Sequence, residues 1–479
     1  MSKQTPETNV QAVAALHARL VFTIILTATF LDTIDFAVVQ VALPSIGAQF
    51  AASVANTQWV IGAYGISLAG FLLLTGRAGD NYGQKRIFVS GMSVFTIASL
   101  AGALAPSLLA LVAFRFIQGI GAAMTTVSAF AIFIGLFRDE KERLKYYGIF
   151  IASLSAGVAV GVVAGGVLTN ALGWQSVLLV NVPIGAIVLA YAQKYLQHAR
   201  PGPARSRLDI PGALSITVGL MLLIYALTNA ANEGLFSRMS LLSFGGSVIV
   251  LSLFLFFESR SKQPLLPLSF LRRSSTLIVN TLCILISATA GVMVLLIYYF
   301  QTVLGWSALE AAIGILPFAL IFTIGGGWAA AKLLGKLGVK RTLLMSTGIM
   351  TIGLALLTQI SPENYWTITL PAMLVFSVGA SLGFPAIFAE AGMVAKPGEE
   401  GLASGVIQTS FRVGVPVGLA ILLAIVGAAD QSLGKISSPA TTTTALTTGL
   451  QYGILAATFI GLLSFIVASR LKVPGRGGL

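Results

Sequence analysis

Fourteen mostly apolar stretches follow one another along the chain, near residues 20–43, 57–75, 87–105, 108–134, 147–170, 174–193, 210–230, 240–257, 276–300, 310–331, 342–360, 364–389, 405–428 and 449–470. A helix needs ~20 such residues to cross a bilayer, and in hydrocarbon only helices or a closed barrel satisfy every backbone N–H and C=O. The pattern predicts an all-α membrane protein with fourteen transmembrane helices. Only 9% of the 479 residues are charged, against roughly 25% in soluble domains, so no soluble domain of any size can be cut from the chain. No P-loop, zinc spacing or nucleophile motif is present, which argues against an enzyme. Residues 1–18 are polar and lack a short apolar region with a cleavage site, so 20–44 reads as the first span rather than a signal peptide.

Charge placement tests the count. With the N-terminus in the cytoplasm, 25 of the 29 Lys and Arg fall in cytoplasmic segments. Arg238 and Lys435 fall outside, and Arg115 and Arg412 lie inside spans. One miscounted span would flip every later loop and scramble this asymmetry. Both termini are therefore expected in the cytoplasm of a cell membrane. The net charge of +13 then faces anionic lipid of the inner leaflet rather than nucleic acid. Cys283 stands alone in an apolar run, which excludes an intrachain disulfide and a cysteine metal site. His17 and His198 both fall in cytoplasmic segments and offer no proton relay.

The chain also repeats itself. GRAGDNYGQKR at 76–86 joins the second and third spans, and AKLLGKLGVKR at 331–341 joins the tenth and eleventh. Both carry Gly-x-Lys-Arg, at an offset of 255 residues. The offset predicts two six-helix bundles, 20–193 and 276–470, with two inserted helices in the linker 194–275 and short cytoplasmic segments at 1–19 and 471–479. Repeated halves are a transporter signature, with substrate bound near the midplane where they meet.

Two acids interrupt the first span, Asp32 and Asp35. Three residues apart, they share one broad helix face. A charged aspartate at mid-bilayer costs about 2.5–3.5 kcal/mol on insertion scales, so it normally faces a protein interior or a hydrated cavity. Arg115, deep in the fourth span and permanently charged, needs a partner, and these acids are the ones available. Pairing and desolvation push such a carboxylate's proton affinity in opposite directions. Two readings follow: a static pair that fixes helix packing, or a site that exchanges a proton. Gln118, one turn along, and Gln40 on the first span could complete a polar lining or simply bridge helices. Tyr298 and Tyr299 end the ninth span with Gln301 and read more readily as an interfacial anchor than as an aromatic cage in a substrate cavity. Arg412 is expected near the cytoplasmic end of its span, snorkelling to water. Gly157, Gly161, Gly165 and Gly166 form a stripe for close helix approach, echoed weakly by Gly414 and Gly418. Asp80 sits among Arg77, Lys85 and Arg86 at the start of the third span, where the helix dipole favours an acid.

Together these stretches resemble the major facilitator superfamily, and within it the fourteen-helix branch of drug:proton antiporters. FLDTIDFAVVQVALP at 30–44 is similar to that branch's first-helix motif, whose acid aligns with Asp35, leaving Asp32 as an extra acid. The loop at 76–86 resembles the superfamily's loop motif through Gly76, Asp80, Gly83 and Arg86, with Arg77 beside them, and implies a conformational latch. RFIQGIGAA matches the fourth-helix motif through Arg115, Gln118, Gly119 and Gly121, and that arginine is implied to take part in proton transfer. GVAVGVVAGG at 157–166 resembles the antiporter motif of helix five, with Val162 where a Pro usually follows the second Gly. That substitution leaves antiport, symport and uniport open. GWQSVLLVNVPIG, with Trp174, Asn181 and Pro183, is familiar too. The resemblance implies two rocking halves that export lipophilic drugs, antibiotics or toxic small molecules against protons, with Asp35 as the proton carrier. It implies a monomer embedded in lipid, needing no metal or cofactor beyond the proton gradient. A transporter dedicated to one metabolite is the alternative, and a non-transporting membrane sensor a more remote one. Some drug exporters of this branch also carry an acid inside helix ten; here the only one is Glu310, at that span's outer entrance.

Overall fold

The computed structural model describes residues 6–136, 140–196, 209–261, 268–271, 273–394, 400–432 and 439–471, and no strand occurs among them. The long helices are α1 (Pro6–Gln49), α2 (Trp59–Tyr82), α3 (Gln84–Ala103), α4 (Leu108–Leu136), α5 (Glu140–Leu172), α6 (Asn181–Tyr195), α7 (Ile210–Glu233) and α8 (Arg238–Arg260). They continue as α9 (Ser274–Ala288), α10 (Ala308–Ile324), α11 (Ala330–Leu357), α12 (Leu370–Val394), α13 (Glu400–Ser432) and α14 (Pro439–Ser469). Beyond α9 the chain resumes as the helix Gly291–Tyr298 and the π-turn Tyr299–Val303. Arg138, Arg200, Arg205, Arg207, Lys262, Arg272, Lys396, Lys435, Lys472, Arg476, Lys3 and His198 lie outside the described residues.

Eleven helices among the described residues are long and apolar enough to cross a membrane, or twelve if the bent pair Val54–Leu72 and Leu74–Tyr82 counts as one span. Ala156–Leu172 and Ala308–Ile324 are shorter apolar segments. The expected fourteen is thus not reached by length and composition. In α5 the first turns carry Glu140, Lys141, Glu142, Arg143 and Lys145, and α10 gives way to a π-turn at Gly325–Ala329. The chain is a multi-pass membrane protein either way.

Local chemistry sets the helix starts. Ser307 and Glu310 form a reciprocal capping box on α10, with bonds of 3.2 and 2.8 Å. Glu310 therefore serves the helix terminus. Asp209 caps α7 by accepting from the Gly212 N–H at 2.9 Å, with Pro211 in the first turn. The internal echo extends to the backbone. Gly83 turns between α2 and α3 at φ +96°, and Gly338 makes the matching turn inside α11 at φ +75°. Residues with a Cβ rarely adopt either conformation.

Packing repeats as well. In the first helix set, α1–α6, a Cβ built on Gly161 would lie 2.6 Å from the Ala37 Cβ, and one on Gly165 2.9 Å from the Val38 Cα. The glycines of α5 thus let it lie directly on α1. In the second set, α9–α14, a Cβ built on Gly414 of α13 would lie 2.7 Å from the Ile284 carbonyl oxygen of α9, and one on Gly418 would run into the Ala288 Cα. Gly161→Val forces α5 off α1 and costs about 1–3 kcal/mol as overpacking. Thermal unfolding in detergent checks this against Gly245→Val on α8, where nothing lies within 4 Å.

The two sets meet where α5 touches α10, with Gly166 against Ala308, Leu309 and Ala312. At the same end Gln301 donates to the Val41 carbonyl at 3.0 Å. Inserted between the sets in sequence, α7 packs against both α2 and α13. Gln58 Nε2 donates to Thr228 Oγ1 at 2.6 Å, Gly70 meets Thr217, and Gly427 meets Ala231. α8 follows α7 through Ser247, which donates to the Gly219 carbonyl at 2.8 Å, and leaves Leu241, Phe244 and Phe257 exposed.

Candidate functional site

Asp35 is fully buried, and donors from two other helices converge on it. Arg115 Nη1 of α4 reaches Oδ2 at 2.6 Å. Oδ1 accepts from Gln118 Nε2 at 3.1 Å and from Asn181 Nδ2, the first residue of α6, at 2.6 Å. Arg115 is itself fixed by three further contacts. Its Nε donates to the Val60 carbonyl at 3.0 Å, Nη1 donates to Gln118 Oε1 at 2.8 Å, and the guanidinium lies 4.2 Å over the Tyr64 ring. Ser99 of α3 closes the network, accepting from Gln118 at 3.3 Å and Asn181 at 3.0 Å while donating to the Leu178 carbonyl at 2.9 Å. Everything in it belongs to α1–α6 and the short helix Gln175–Leu179. A buried charge is tolerated only when paired and hydrogen-bonded, and here both are.

Three residues earlier on α1, Asp32 serves different neighbours. The Tyr64 hydroxyl donates to its Oδ1, and Arg412 Nη2 of α13 lies 3.0 Å from its Oδ2. Asp32 is 6% exposed and the Arg412 side chain 19%. The snorkelling expectation for Arg412 is therefore overturned. At 1.5 Å per residue, Arg412 sits roughly 18 Å into its helix, and a carboxylate within reach inside the bundle compensates the charge better than a stretch to the interface. The two acids share a helix face, yet their angular offset aims Asp35 at α4 and α6 and Asp32 at α2 and α13. Tyr64 stands between the two pairs, its ring under Arg115 and its hydroxyl on Asp32.

The remaining sequence candidates fall into place around this pair of networks. Gln40 is half-buried on α1 and joins neither network. Tyr298 and Tyr299 are buried among helices, which does not fit an interfacial anchor whose ring faces lipid headgroups. Gly157, Gly161 and Gly165 face α1 at Thr33, Ala37 and Val38, flanking the acid-bearing stretch, and Gly166 faces α10. The expected 76–86 loop is helical except at the Gly83 turn, and Asp80 lies in the last turn of α2, not at the start of the third span. It accepts from Gln84 Nε2 at 3.0 Å, and Lys85 donates to the Gln193 carbonyl of α6 at 2.8 Å. Gly76 packs near Val127 of α4, Arg77 and Gly83 are covered to differing degrees, and Arg86 is exposed.

Sequence reasoning missed Tyr64 and Glu390. Tyr64 lies in an apolar run, where an aromatic gives no signal. Glu390 stands one residue past the stretch assigned to its span, yet on α12 it is 6% exposed and forms no hydrogen bond or ion pair with the described residues. Asn181 was visible only through a motif resemblance. Among the described residues no group of three or more His, Cys, Asp or Glu could hold a metal ion.

Comparison with known proteins gives a consistent result. The family model described as Major Facilitator Superfamily matches residues 25–419. The chain is 33% identical over 458 residues to the puromycin resistance protein Pur8 of Streptomyces alboniger, covering 93% of this chain and 89% of that protein. It is 33% identical over 453 residues to the cephamycin export protein CmcT of Amycolatopsis lactamdurans, covering 94% and 90%. The human organic anion transporter MFSD10 has the same fold, at a TM-score of 0.61 and 15% identity over 94% of this chain and 99% of that one.

Proposed function

The chain belongs to the Major Facilitator Superfamily, and from that membership we propose that it exports lipophilic antibiotics or other toxic small molecules in exchange for protons. Export is supported by relatives named for antibiotic resistance and antibiotic export that align along nearly the whole chain. The family is one of transporters, not enzymes. Counting the bent pair at α2 and the short apolar segments of α5 and α10 as spans gives fourteen, with both termini in the cytoplasm of the cell membrane. Two six-helix halves, 20–193 and 276–470, rock about a midplane site as a monomer. The residues proposed for the cargo's path are Gln40, Gln118, Tyr298 and Tyr299, with the 76–86 segment around the Gly83 turn as a latch.

One observation carries the coupling: Asp35, fully buried, is balanced by a single guanidinium. A proton on Asp35 leaves Arg115 with no counter-charge in a site that excludes water, so the neutral acid favours a different arrangement of α1. The glycines of α5 lie on that part of α1, and Gly166 at the far end of α5 touches α10. A shift of α1 is thereby passed to the other half. Each proton moving inward contributes about 2.3 kcal/mol per 100 mV of membrane potential.

Flux of puromycin and of a lipophilic dye into inverted vesicles, with and without an imposed pH gradient, tests the proposal. Gradient-dependent uptake is expected, and gradient-independent leakage alone would remove it. A second reading, export of a single compound, is favoured by the fact that the two relatives above are each named for one antibiotic. Competition by many unrelated amphiphiles would exclude it.

A further inference from the structure

We infer that Asp32 and Arg412 form a clasp through which protonation in the first half is felt by the second. The inference rests on the proton-coupled reading above and assigns a role to Arg412, a positioning residue that acts through Asp32. The pair spans the two helix sets: Asp32 is on α1, and Arg412 on α13, at 3.0 Å. The surroundings make it a closure and not a surface contact. Beside it α2 and α13 pack against each other, since a Cβ built on Gly65 would make ordinary van der Waals contact with the Pro416 ring at 3.5 Å and the Arg412 carbonyl oxygen at 3.7 Å. Phe411, next to Arg412, packs edge-on against Phe384 of α12 with ring centroids 4.8 Å apart.

The charged and titratable groups facing Asp32 are Arg412 from α13 and Tyr64 from α2, with Arg115 of α4 over the Tyr64 ring and Asp35 one turn along α1. Tyr64 thus ties the clasp to the Asp35 network. When Asp32 Oδ2 takes a proton, Arg412 loses its counter-charge. Its side chain is only 19% exposed, so the unpaired charge calls for more water than now reaches it, and room for that water opens if α2 and α13 part. With Asp32 ionised the halves are held; with it neutral they are released.

The test reads opening directly and needs no cargo. Leu172, 71% exposed at the end of α5, and Trp366, 77% exposed just before α12, lie at the same end of the bundle on opposite helix sets. Tyr365 places the latter there by donating to the Gly314 carbonyl of α10 at 2.9 Å. In full-length protein carrying Cys283→Ser, Leu172→Cys and Trp366→Cys, spin-label distances are measured in lipid nanodiscs across a pH series without a gradient. The distance is expected to lengthen as pH falls. Asp32→Asn gives the low-pH distribution at every pH, Arg412→Gln loses the pH dependence, and Arg412→Lys keeps it. A pH-independent distance in the parent protein, or an Arg412→Gln profile matching the parent, overturns the clasp. Because no substrate moves, these results stand apart from the vesicle flux that tests export.

Discussion

With Asp35 replaced by Asn, pH-driven accumulation of substrate falls to the level of protein-free vesicles, while exchange of substrate down its own gradient persists. Asn has the size of Asp, and its Oδ1 still accepts from Gln118 and Asn181, which hold that atom at 3.1 and 2.6 Å in the native site. What disappears is the ionised state. Arg115 meets an amide in place of a carboxylate, so the variant resembles the protonated protein at every pH. It samples the motions that move cargo but cannot tie them to a proton. Driven uptake and counterflow measured in the same proteoliposomes separate the two. Driven uptake within twofold of wild type would take Asp35 out of the coupling.

Arg115→Gln destabilises the protein by about 3–5 kcal/mol, the usual consequence of removing one partner of a buried ion pair. Asp35 would be left fully buried with an uncompensated charge. The Val60 carbonyl and the face of Tyr64 would lose their contacts as well. The double variant Asp35→Asn/Arg115→Gln carries no charge there and recovers part of the loss, because the penalty comes chiefly from the unpaired ion. Thermal unfolding in detergent of both singles and the double measures this. Losses that simply add would mean that the two side chains do not act as a pair.

The parts of this architecture that were legible in sequence are those that hydropathy and spacing encode. Apolar runs marked the helices, and the glycine spacing of α5 marked a close approach that the structure places on α1. Gly83 and Gly338, found through a four-letter echo, make matching positive-φ turns. Other features depend on which helix faces which, and no local pattern carries that. Arg412 looked like a terminal cation because nothing in its span announces that α13 presents it to α1. Tyr64 looked like ordinary packing, although it contacts both acid–arginine pairs. Glu390 was hidden by a boundary drawn one residue short. Helix geometry alone put the two aspartates on one face, and only the motif resemblance singled out Asp35; their different neighbours are seen only in the folded chain.

The proposed exchange of a proton for cargo at Asp35 is open to direct measurement. Purified protein in weakly buffered detergent solution, titrated with puromycin beside a pH indicator, should release protons as the ligand binds, and Asp35→Asn should bind without release. Equal release from both proteins, or saturable binding to wild type with no release, would contradict a shared site for proton and substrate coupling on α1.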